Sequence, residues 1–172
     1  MEERSGLKDK LLRLIPVYGA YKVEEDLREW DRSIRDEAIL HLSKSEESLL
    51  TMLEKAVETR ARNSISQIEK SRRDIHAVKE KVRTSTYGYF PRLSPIKIKE
   101  QALKEALSLD EKIVATAKSL SDKVDVLSNK FEGAEKEVLM DLQELKSDIK
   151  SIRELHLKRK MLLSKGHLKG ET

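Results

Sequence analysis

Residues 113–152 read IVATAKSLSDKVDVLSNKFEGAEKEVLMDLQELKSDIKSI, and their spacing decides the fold class. Ala117, Val124, Phe131, Val138, Leu145 and Ile152 recur at intervals of seven. Ile113, Leu120, Leu127 and Ala134 form a second track, which passes to Leu142 and Ile149. Two apolar tracks separated by steps of three and four mark helices that bury one stripe, with the period of a coiled coil. Gly133 sits inside this repeat and can be read in two ways. The retained phase favours a helix running through it, because a turn has no need to preserve phase. Gly also commonly caps and ends helices.

The same period extends toward the N-terminus. Neither Gly nor Pro interrupts residues 22–84. Apolar or small residues there fall at Val23, Leu27, Trp30, Ile34, Ala38, Leu42, Leu49, Leu53, Ala56, Ala61, Ile65, Ile68, Ile75, Val78 and Val82. At ~1.5 Å per residue this run would reach roughly 95 Å if unbroken. One candidate break lies at Ser43-Lys-Ser-Glu46, a capping-box pattern. The segment 84–95, TSTYGYFPRLSP, holds two of the three prolines and cannot be helical throughout. Residues 7–15 form a short amphipathic helix that Pro16 ends, and 16–21 is a connector.

The expected fold is therefore all-α. Residues 1–21 form an N-terminal helix and connector, and 22–172 a single antiparallel helical domain turning at 85–95. Two architectures satisfy the pattern, with a half-broken version of three main helices between them. Two helices of roughly 60–70 residues can pair as an elongated antiparallel coiled-coil hairpin. Breaks near Ser43–Ser45 and Gly133 would instead give a four-helix bundle. Continuous helices, the favoured reading, separate Tyr18 and Tyr21 from Tyr87, Tyr89 and Phe90 by roughly 90 Å. A break in the first run brings both connectors to one end.

Charge distribution bears on the pairing. Residues 22–58 carry eleven acids and six bases, whereas 60–83 and 146–172 each carry eight bases and three acids. A hairpin folded about position 91 sets 22–36 opposite 146–160. Acidic sequence then meets basic sequence, and part of the charge is neutralised within the molecule.

Composition excludes several function classes. The 172 residues are 38% charged, with six Gly, three Pro and no Cys. Disulfides, thiolate metal sites and thiol catalysis are ruled out. No apolar run is long enough to cross a membrane. The opening Met1-Glu2-Glu3-Arg4 lacks a signal peptide's apolar stretch, so a cytoplasmic location is expected. Scarce Asn and Gln with abundant Lys and Glu hint at a hot environment.

Catalytic and cofactor signatures are absent from the sequence. A helical di-metal site needs acidic residues three positions before its histidines. Those positions before His41, His76, His156 and His167 hold Ala38, Arg73, Arg153 and Ser164. No glycine-rich phosphate loop occurs. No enzyme activity, metal, cofactor or small-molecule substrate is expected.

Binding is the remaining class. Arg60, Arg62, Lys70, Arg72, Arg73, Lys79, Lys81 and Arg83 share one helical stretch, and Lys158, Arg159 and Lys160 head the C-terminal tail. Such stripes displace counterions from phosphates, so 60–83 and 146–169 are candidate contacts for nucleic acid or an anionic membrane surface. Against this, the net charge is only +4 and no aromatics are interleaved for base stacking. Residues 7–15 could lie on a membrane surface or dock over one end of the bundle. Five of the seven aromatics (Tyr18, Tyr21, Tyr87, Tyr89 and Phe90) lie in the two connectors. There they could plug the helical core or anchor a partner. The expected role is a structural or interaction module that presents aromatic connectors and basic faces to a protein partner or to a second copy. The alternative is a polyanion binder.

Two segments carry a resemblance. Leu14-Ile15-Pro16-Val17-Tyr18-Gly19-Ala20-Tyr21-Lys22, followed by Glu25-Asp26, Arg28-Glu29 and Asp31-Arg32, resembles the opening of an uncharacterised prokaryotic helical protein family. Arg83-Thr84-Ser85-Thr86-Tyr87-Gly88-Tyr89 resembles its mid-chain turn. Ala20 departs from the family's second Gly. The resemblance covers about forty residues and implies a helical, cytoplasmic, non-enzymatic protein, with no catalytic residues to carry over.

Overall fold

The computed structural model describes residues 20–84, 100–131 and 135–165. Four helices run through them: α1 (Ala20–Glu58), α2 (Arg62–Thr84), α3 (Glu100–Lys130) and α4 (Glu135–Lys165). Among the described residues 96% are helical and none is in a strand. The fold is an all-α bundle.

The two long runs both break, and the first does so where no Gly or Pro marks it. The retained heptad through Gly133 does not reflect a continuous helix, because α3 ends at Lys130 and α4 begins at Glu135. Phe131 and Val138 are both buried, at 3% and 5% exposure. The two lie seven residues apart on successive helices of one core, so the step of seven survives without a continuous helix. Nor does the chain break at Ser43–Ser45. α1 passes through it, and Ser45 Oγ donates to the His41 carbonyl one turn back, at 3.0 Å.

The break instead falls at 59–61. Arg60 N–H donates to the Val57 carbonyl (3.1 Å) and Ala61 N–H to the Ala56 carbonyl (2.9 Å). This pair of bonds is a Schellman cap, with Arg60 in the left-handed region at φ 58°. Ala61 tucks in beside Ala56, and both are buried. The Ala61 carbonyl then accepts from Ser64 and Ile65 as α2 begins.

Contacts between helices fix the arrangement. α1 packs on α2 and α3, and α4 packs on α3 and α2. The diagonal pairs α1–α4 and α2–α3 do not pack against each other among the described residues. α1 and α2 are antiparallel, as are α3 and α4. Ser48 reaches Asp125, and Lys55 Nζ donates to the Ser128 carbonyl at 3.2 Å, so α1 and α3 run parallel. It follows that α2 and α4 run parallel too. The ends of α2 and α4 and the starts of α1 and α3 all lie at one end of the bundle.

This arrangement corrects two expectations. The run from Ala20 to Thr84 does not carry its two ends to opposite ends of the molecule, as one continuous helix would, while Tyr18, Tyr87, Tyr89 and Phe90 themselves lie outside the described residues. The acidic 22–36 stretch also does not lie against 146–160, because α1 and α4 occupy opposite corners.

The core follows the heptad. Ala38, Leu42, Leu49, Met52 and Ala56 of α1 are fully buried, as are Ile68 and Ile75 of α2, Ala117, Leu120 and Val124 of α3 and Ile152 of α4. Val78, Leu142 and Leu145 are buried almost as deeply. Each Val, Leu, Ile or Met among them contributes roughly 1.5–3 kcal/mol of transfer free energy.

A candidate polyanion interface on α2 and α4

Net charge separates by helix. α1 carries eleven acids against six bases and α3 six against five. α2 carries seven bases against three acids and α4 eight against six. The two acidic helices are neighbours, and so are the two basic ones.

Which side chains share a face follows from the heptad and from the bonds between helices. On α2, His76 Nδ1 donates to Glu46 Oε1 of α1 at 2.8 Å, and Lys79 bonds the other oxygen of the same carboxylate. Arg72 and Ile65, at seven-residue steps before Lys79, share that seam. The opposite flank of α2 carries Asp74 and Lys81, with Lys70 and Ala77 just outside them, and faces α4. On α4, Asp148 accepts from Lys123 of α3 at 2.7 Å, which marks the flank toward α3. The other flank carries Lys146, Arg153 and Lys160, with Lys150 just outside, and faces α2.

Together these flanks form one basic face. Lys70, Arg73, Lys81, Lys150, Arg153 and Lys160 are exposed and Lys146 is half-buried. Three acids temper them. Glu154 lies 3.7 Å from Lys150. Glu80 accepts two hydrogen bonds from Arg83, at 3.0 and 2.6 Å. That hydrogen bonding holds the Glu80 carboxyl below its ordinary range, partly opposed by desolvation. The contact is therefore intact at neutral pH and is lost only as acid protonates Glu80. Asp74 is the third. The rows from Lys70 to Lys81 and from Lys146 to Lys160 run about 16 and 21 Å along the axis.

The sequence candidates divide accordingly. Arg73, Lys81 and Lys160 belong to this face, and exposed Lys158 lies on the far side of α4. Arg60 sits in the turn at the opposite end. Arg62 and Arg83 flank the α1 side, while Arg72 and Lys79 lie in the α1–α2 seam. Arg159 turns inward to an ion pair with buried Asp110. Lys146, Lys150 and Arg153 join the face although they were singled out only as part of 146–169. Their signal was a seven-residue step, 146, 153, 160, but a flank gains meaning only once its neighbour is known. Tyr18, Tyr87, Tyr89, Phe90 and residues 7–15 lie outside the described residues, and Tyr21 falls in the first turn of α1.

A small recess lies near the end of the bundle where α1 and α3 start. Ile34, Ala38, Val82 and Ile113 line it with Arg35, Asp110, His156 and Arg159. Its free space, about 10 Å³, holds a single water at most. Among the described residues no group of three or more His, Asp or Glu is placed to hold a metal ion. Nor is any described helix long and apolar enough to cross a membrane.

Compared with known proteins, the chain matches no family model, no curated protein and no solved structure, so the basic face stands on its own geometry.

Proposed function

We propose that this chain is a helical interaction module that binds a nucleic-acid backbone through the α2/α4 face. One observation carries the reading: the two basic helices are parallel neighbours, so their exposed lysines and arginines form a single surface. A rigid double row of cations neutralises phosphates by releasing counterions, and this mode of binding needs no interleaved aromatics. Leu157 and Met161 are exposed on α4, but they stand singly among the cations and do not form the continuous apolar edge that a membrane surface would take up. Binding of this kind is sequence-independent and sensitive to salt.

The experiment is a salt titration of binding to a generic duplex, read by anisotropy. About four net phosphate contacts give a slope of log K against log salt near −4. Replacing Lys146, Lys150 and Arg153 with Gln should cut the slope by about three and weaken binding to all sequences alike. Binding without salt dependence, or unchanged in this variant, would contradict the reading.

A further inference from the structure

The face opposite the basic one has the reverse sign. On α1, Glu47, Glu54 and Glu58 are exposed, and on α3 Glu111 and Asp122 are exposed beside half-buried Asp125. Lys44 and Lys118 are the exposed bases among them. The remaining two sides of the bundle mix the signs, as the Glu46–Lys79 and Lys123–Asp148 pairs illustrate.

We infer that a second copy of this chain seats its α1/α3 face on the α2/α4 face. Both faces are built from two neighbouring parallel helices, and their exposed charges are opposite in sign. The 23 residues of α2 give the contact a length of about 35 Å. A surface two helices wide and that long is close to the roughly 800 Å² per partner of a standard interface. Because the two faces differ, the contact is heterologous: each copy keeps one face of each sign free, and association continues into chains or rings. Exposed ion pairs contribute little one by one, so the association is weak and falls with salt. The inference rests on the same basic face as the reading above, for which the duplex and the second copy compete.

Sedimentation of nuclease-treated full chain tests it. In about 0.05 M salt the mean mass should rise with protein concentration, and in about 0.5 M salt the chain should be monomeric. Two charge reversals then isolate the contact. Lys150→Glu with Arg153→Glu makes both faces acidic, and Glu47→Lys with Glu54→Lys makes both basic. Each variant alone should stay monomeric in low salt, and an equimolar mixture should associate. If a reversal perturbs the helical circular dichroism, Lys150→Gln with Arg153→Gln replaces it, and its self-association should fall to a fraction of the wild-type value. A monomeric wild-type chain in low salt, or a mixture that stays monomeric, would overturn the inference. Duplex binding separates the two ideas. The Glu47/Glu54 variant, monomeric by itself, should still bind duplex, and the Lys150/Arg153 variant by itself should not.

Discussion

Arg60 makes the reversal between α1 and α2 in a conformation that suits glycine. A side chain at φ 58° brings its Cβ against the following carbonyl, at a cost of roughly 1–2 kcal/mol. Arg60→Gly removes that clash but adds freedom to the unfolded chain. The net expectation is a gain of about 1 kcal/mol, seen as a higher urea midpoint with unchanged slope. Ser71 offers a second test. Its hydroxyl is buried and finds no hydrogen-bond partner among the described residues, and Ser64 is in the same position. An unsatisfied buried hydroxyl costs about 1–3 kcal/mol, so Ser71→Ala should raise stability by about 1 kcal/mol in thermal unfolding. The reversal at Arg60 was faintly legible. From Ala56 to Ala61 the apolar spacing is five, a departure from the steps of three and four around it. Without Gly or Pro to flag it, the eye passes over that step, because the cap is made by backbone bonds that any residue can supply.

At the scale of elements, the sequence specified helix content and core positions well. The seven-residue tracks name Val124, Phe131, Val138, Leu145 and Ile152, and all five are buried. Helix ends were harder to read. The capping-box pattern at Ser43–Glu46 lies inside α1, where Ser45 satisfies itself by bonding back and Glu46 is occupied by α2. A side chain with partners in tertiary contact does not need to cap. Ser45→Pro separates a continuous α1 from a turn at this place. Inside a helix it removes an N–H bond and clashes one turn back, so a loss of 3 kcal/mol or about that is expected. Near-wild-type stability in chemical denaturation would instead place a turn there.

At the scale of the molecule, the arrangement of helices was not legible, and the functional reading changed with it. Charge counts by segment are visible in the sequence, but their meaning depends on which helices touch. In a hairpin the acidic 22–36 neutralises the basic 146–160. In the bundle those helices are diagonal, and like-charged helices stand side by side to make two faces of opposite sign. The most direct measurement is a distance across the basic face. The chain has no native Cys, so nitroxide labels at Ala77→Cys and Lys150→Cys report a single pair by pulsed electron paramagnetic resonance. Neighbouring parallel helices, with axes 8–10 Å apart, predict a distribution centred at about 15–20 Å. A continuous hairpin would separate the same two positions by roughly 70 Å, and a bundle with α2 and α4 at opposite corners by about 30 Å. Either of the longer distances would contradict the basic face and everything built on it.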